Sequence, residues 1–158
     1  GATVVVLKED ILGKVNRTIP SMLDYSIHLG KDSMFNTPPV FSVYVSMLTL
    51  EWLKNLGGIP FIEQVNQKKA DTIYAEIDRN PLFEGVVNLE DRSTMNATFA
   101  LNSHALKQKF DDMCKEARIS GIHGHRSVGG YRTSMYNALP LHSVQTLVDV
   151  MQELERKA

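Results

Sequence analysis

One cysteine, Cys114, stands among the 158 residues, which leaves no intrachain disulfide and fits a reducing compartment. Neither sign of charge dominates: 17 Lys and Arg against 18 Asp and Glu leave a formal −1. Without a basic field the chain has no means of holding nucleic acid non-specifically, and no such partner is expected. Of five histidines only His123 and His125 lie close together, and no cysteine joins them at ligand spacing, so no metal site is expected. Long apolar runs are also missing. The longest, Val40 to Leu53, is interrupted by Ser42, Ser46, Thr49 and Glu51 and falls short of the ~20 residues a membrane span needs. No signal peptide, internal repeat or low-complexity tract is visible. Together these absences point to a cytoplasmic protein without a membrane partner. The chain opens without Met on a β-type run, which reads as a piece cut inside a larger domain.

What is present divides in two. Thr3 to Leu7 reads as a buried strand, being short and β-branched. Gly13 to Ser33 has no periodicity and reads as loop. Asn36 and Thr37 then stand as cap residues before Pro38 at the first position of a helix, which runs to about Leu56 and stops at Gly57-Gly58. That helix has almost no polar face, so it must be buried all round, against sequence outside the chain or a second subunit. A second helix, Pro60 to Asp78, carries Ile62, Val65, Ala70, Ile73, Tyr74 and Ile77 as one stripe and suits a connector.

Beyond Glu84 the expected order is strand (85–89), strand (95–101), helix capped by Asn102-Ser103, strand (118–122), strand (131–136), helix. Along 95–101, Met95, Ala97, Phe99 and Leu101 mark the buried face. Val144, Leu147, Val148, Met151 and Leu154 mark the last helix. This is a small α+β domain with helices covering a sheet. Cys114 falls on the apolar side of its helix and reads as a buried structural thiol.

The densest chemistry lies in Gly124 to Ser134, where two guanidiniums and an imidazole surround a Gly-Gly bend. Arg presents a rigid fork of donors that matches carboxylate and phosphate in two-point contacts. Arg126 and Arg132, with His125 beside one of them, suggest a small-molecule site with two anionic ends. The plainer alternative is a Gly-rich hairpin with surface cations. The helix start at Asn36 and Thr37 has the same two faces: an ordinary cap, or a phosphate site made by unpaired amides and the positive end of the helix dipole.

The run Gly124–Leu141, GHRSVGGYRTSMYNALPL, resembles the C-terminal signature of phosphoserine aminotransferases. A second block, Asp24-Tyr25 through His28 and then Asp32 to Pro39, is similar to that family's DY…H…DSMYNTPP segment. Glu51 to Lys54, Gly57-Gly58 and Leu147 to Asp149 follow in the family's order, so the likeness covers essentially the whole chain. Tyr131 and Thr133 depart from it, where the family more often has Met and Ala.

The resemblance implies an α/β protein of the fold type I pyridoxal-phosphate class. In it residues 1–60 would close the large cofactor domain and carry a dimer-interface helix, 61–80 would connect, and 81–158 would form the small domain. It implies pyridoxal phosphate as cofactor, a homodimer, and amino transfer between glutamate and 3-phosphohydroxypyruvate, giving 2-oxoglutarate and phosphoserine. Asn36 and Thr37 would contact the cofactor phosphate in the partner's site, Arg132 the substrate α-carboxylate, and His125 and Arg126 the distal anion. Asp24, Tyr25 and His28 would lie near the entrance without a catalytic role. The family's covalent lysine would lie upstream, so this chain holds no catalytic residue and is expected to be inactive alone. Two other classes stay open: another aminotransferase of the same fold, and a non-catalytic anion-binding or dimerisation module.

Overall fold

A computed structural model describes residues 1–158 as two units, Gly1–Asn55 and Leu56–Ala158. In the first unit, 3₁₀ turns at Glu9–Ile11 and Ser21–Leu23 lead to a short helix α1 (Tyr25–Leu29) and then to α2 (Val40–Asn55). The expected strand over Thr3 to Leu7 is not formed. A strand exists only against a partner, this unit offers none, and Val4 and Val6 stand about 90% exposed. The stretch expected as loop contains α1, because Asp24 accepts from the Ser26 amide at 2.9 Å and supplies an N-cap.

The start of α2 also differs from expectation. Pro39 accepts the first helical bond, from the Val43 amide at 3.0 Å, so the helix begins at Val40 and not at Pro38. A residue that precedes proline is driven out of the α region, and Pro38 precedes Pro39. Asn36 and Thr37 therefore lie outside the cap position, and both are exposed. None of the helix is buried within the chain; Phe41 is 78% and Leu50 65% exposed. Two of its hydroxyls turn inward, Ser46 to the Ser42 carbonyl and Thr49 to that of Val45, so they add little outward polarity.

The second unit opens with α3 (Gly58–Arg79), after Gly57 and Gly58 take the left-handed φ values of 113° and 73° that end the preceding helix. At about 1.5 Å per residue α3 spans ~33 Å. It packs against a three-stranded antiparallel sheet and the last helix. The strands are β1 (Phe83–Gly85), β2 (Asn96–Leu101) and β3 (Tyr131–Ser134), in spatial order β1-β2-β3. Phe83 pairs with Leu101, and Thr98 with Arg132. Between β2 and β3 lies α4 (Lys107–Glu116), and α5 (Leu141–Lys157) closes the chain.

The core is continuous from Ile73 and Ile77 of α3 through Phe83, Ala97, Phe99 and Tyr131 of the sheet to Phe110, Cys114 and the α5 stripe Val144, Leu147, Val148, Met151 and Leu154. Three expectations are corrected. The first strand lies at 83–85, not 85–89, because Phe83 is the residue with a core to enter while Val86 and Leu89 are 56% and 76% exposed. Residues 118–122 form no strand, since Arg118 and Gly121 turn the chain at φ 60° and 70° and only His123 bridges to Tyr131. Ser103 does not cap α4 with its side chain. The chain first makes a 3₁₀ turn at His104–Leu106, and Asn102 donates to the Pro81 carbonyl at 3.0 Å. No helix is long and apolar enough to cross a membrane.

Candidate functional site

Helix α4 ends in a paired turn: the Ile119 amide bonds the Cys114 carbonyl at 2.8 Å and the Arg118 amide that of Lys115 at 3.0 Å. The chain then reverses into a hairpin whose stem is Ile122 against Arg132 (2.7 Å) and Gly124 against Gly130 (2.9 Å). At its tip the His125 carbonyl accepts from the amides of both Val128 and Gly129. The glycines are required here. A side chain on Gly124 would collide with the Gly129 carbonyl, and one on Gly130 would sit 2.9 Å from the Phe99 carbonyl with φ at 65°.

This hairpin presents His125 and Arg126 at the tip and Arg132 on β3, all exposed. The Ser127 amide donates to His125 Nδ1 at 3.3 Å, and the Ser127 hydroxyl lies 2.7 Å from the same nitrogen. An amide only donates, so Nδ1 is an acceptor and the ring proton of the neutral form sits on Nε2. That N–H is left to meet an anion. Neither Arg126 nor Arg132 is occupied by an ion pair. Arg132 also borders a cleft of about 380 Å³, together with Thr133, Arg118, Ser120, His142 and Ser143. His125 and Arg126 do not line it. The first turn of α5 has no side-chain cap, and the Thr133 hydroxyl oxygen is buried without a partner. Free guanidiniums and uncapped helix amides suit carboxylate or phosphate.

The base of the hairpin is rigid. Tyr131 stacks on Phe99, with centroids 5.4 Å apart, meets Phe110 edge-on at 5.0 Å and donates to Asp111 at 2.8 Å. Burial, and then that carboxylate, push its phenol well above the usual value. Cys114 beneath is 2% exposed, and burial followed by Asp111 raises its thiol to about 12. It is a structural thiol, as its position in the sequence indicates.

Asn36 and Thr37 belong to the first unit. Their exposed amide and hydroxyl are donors of the kind that phosphate oxygens accept. In the same unit Asp24 is held below the usual carboxylate range by the Ser26 hydroxyl and amide, and His28 bonds the Met22 carbonyl at 2.9 Å. Both are explained by local hydrogen bonding.

Three buried polar residues of α3 escape the sequence reading. Lys69 is completely buried and donates to the carbonyls of Met135 (2.9 Å), Tyr136 (2.8 Å) and Leu139 (3.2 Å). Asn66 donates to Asn137 at 2.9 Å. Glu76 accepts from Arg79, Asn80 and Gln152. Their spacing is all the sequence carries: 62, 66, 69, 73, 76 and 80 follow helical periodicity, four of them are polar, and none names its partner.

Residues 1–147 match the family model for aminotransferase class-V. A phosphoserine aminotransferase of Flavobacterium psychrophilum is 64% identical over 157 residues, covering 99% of this chain and 44% of that protein. The Porphyromonas gingivalis enzyme of the same name is 53% identical over 159 residues, with the same coverage. Among solved structures, phosphoserine aminotransferase from Bacillus circulans subsp. alkalophilus is 38% identical with a TM-score of 0.86, covering 94% of this chain and 42% of that one. A phosphoserine aminotransferase from Trichomonas vaginalis, solved with pyridoxal phosphate bound, is 34% identical with a TM-score of 0.78, over 87% and 40% of the two chains. The chain thus spans less than half the length of the relatives it matches.

Proposed function

The chain belongs to the class-V aminotransferases, and we propose that it is the C-terminal portion of a phosphoserine aminotransferase. In this reading residues 1–60 close the large domain, 61–80 connect, and 81–158 form the small domain. The protein acts in the cytoplasm as a homodimer, moving an amino group between glutamate and 3-phosphohydroxypyruvate in serine biosynthesis, and it serves the related step of pyridoxine biosynthesis. The observation that carries the reading is the hairpin 122–132, which holds two unpaired guanidiniums and a free imidazole N–H on one hydrogen-bonded stem.

Pyridoxal phosphate, when bound, supplies the electron sink that lets an amino group pass between two acids. This chain's residues handle the anions. Arg132 receives the α-carboxylate in a two-point grip and so orients the Cα–H bond. His125 and Arg126 receive the distal anion, which is phosphate on one substrate and carboxylate on the other. A guanidinium accepts either, and one pocket can then serve both half-reactions. Asn36 and Thr37 donate to the cofactor phosphate in the partner's site.

Steady-state kinetics of the full-length protein separate these roles. Arg132→Lys loses the fork geometry and should lower kcat/KM for every amino-acid donor at least tenfold, or ~1.4 kcal/mol. Arg126→Ala should lower it for phosphoserine and glutamate while sparing alanine, which has no distal anion. Unchanged phosphoserine kinetics in Arg126→Ala would refute the distal-anion role.

A further inference from the structure

The Arg132 side chain is free, so its position depends on what fixes the backbone beneath it. Strand β3 ends the sheet order, with β2 on one side and only the His123–Tyr131 bridge on the other. At its start the backbone is held by the bond from Arg132 to Ile122. At its end Met135 donates to Met95 at 2.7 Å, and the chain then leaves the sheet through Tyr136, Asn137 and Ala138 towards α5. The carbonyls of this exit meet the Lys69 ammonium. An ammonium has three donors, and here three carbonyl oxygens receive them at 2.8 to 3.2 Å, with no carboxylate in the set.

A lysine this deeply buried is rare, because removing its charge from water is costly unless every donor is satisfied. Among its acceptors, Leu139 lines the Arg132 cleft, and Met135 directly follows the β3 residues Arg132 to Ser134 that line it as well. The first turn of α5, with His142 and Ser143, forms another part of that wall. One side chain therefore ties together the end of the strand and the approach to the helix on two sides of the cleft. Asn66, one turn earlier on α3, holds Asn137 between them.

We propose that Lys69 is a positioning residue for substrate binding: it clamps the Met135–Leu139 turn and so fixes the strand and cleft from which Arg132 grips a carboxylate. The inference rests on the substrate role of Arg132 given above. Lys69 itself touches no substrate.

The test uses the full-length protein loaded with pyridoxal phosphate, comparing Lys69→Met, Lys69→Arg and Ile77→Ala. Lys69→Met keeps length and removes the donors, and Lys69→Arg restores donors. Ile77→Ala weakens the same helix and leaves the three Lys69 hydrogen bonds to the turn in place. The clamp predicts that Lys69→Met raises KM for glutamate and phosphoserine at least tenfold while kcat stays within threefold. Lys69→Arg should recover most of that loss, and Ile77→Ala should leave KM within twofold even where its melting temperature falls as far. Amide hydrogen exchange at 132–139 should quicken in Lys69→Met and not in Ile77→Ala. If Lys69→Met does not fold, Lys69→Gln is read by the same criteria. An unchanged KM together with unchanged exchange overturns the proposal. A wild-type protein that transfers no amino group overturns the functional reading instead, and with it the substrate role of Lys69; the exchange data then still decide whether the clamp exists.

Discussion

Glu76 is 3% exposed and yet ionised, because the cost of its burial is offset within the fold. Desolvation raises its pKa, but hydrogen bonds from Arg79, Asn80 and Gln152 outweigh that, and the net shift is below the usual 4.5. A carboxylate with a depressed folded pKa contributes stability above its unfolded pKa and loses it as pH falls through the folded value. The wild-type protein should therefore lose stability below about pH 4.5, and Glu76→Gln should lose less over that range. At pH 7 the substitution should cost about 1–3 kcal/mol, since it removes charge-assisted bonds from Arg79, Asn80 and Gln152 to a buried carboxylate. Thermal melts of both proteins from pH 3 to 7 check this; curves that run parallel would show that Glu76 is not a source of the acid sensitivity. Glu76, Lys69 and Asn66 also mark the limit of what is legible at this scale. A stripe is found by its apolar members, and a polar residue at a stripe position passes for a gap until its distant partners (Asn137, Met135 and Gln152, 66 to 76 residues away) are in place.

Among the elements, helices with one apolar stripe are readable and strands are less so. In α5 every stripe residue named from the sequence is buried, because the 3.6 period is a property of the segment alone. A strand needs a neighbour, which the segment does not encode; Thr3 to Leu7 has the composition and lacks the partner. Helix α2 is the instructive intermediate. Its range is legible to within about two residues, a common margin for helix ends. Nothing in the chain covers it. The start of this helix also sharpens the expectation for Thr37. Because Pro39 and not Thr37 stands at the cap, Thr37→Ala should change stability by less than about 0.5 kcal/mol, as at an ordinary surface position. If Thr37 donates to the cofactor phosphate, the same change should raise the Kd for pyridoxal phosphate at least tenfold. Equilibrium cofactor titration and thermal melts of the cofactor-free full-length protein separate the two. A stability loss of 1 kcal/mol or more with an unchanged Kd would return Thr37 to a capping role.

On the scale of the whole molecule, the chemistry was more legible than the architecture. The Gly124–Gly130 bend, its cations and the family likeness can be read directly from the letters, because glycines that avoid collision and free guanidiniums are properties of local sequence. The pairing order of the three strands and the partners of Lys69 depend on long-range contacts and were not legible. The central claim is that the hairpin selects acids with an anion at each end. Its most direct test is the rate of cofactor conversion when the full-length protein is mixed with phosphoserine, with serine or with alanine. A distal-anion grip by His125 and Arg126 predicts that kcat/KM for phosphoserine exceeds that for serine by at least 100-fold, equivalent to ~2.7 kcal/mol of added binding in the transition state. Equal values for phosphoserine and serine, or no conversion of phosphoserine, would contradict it.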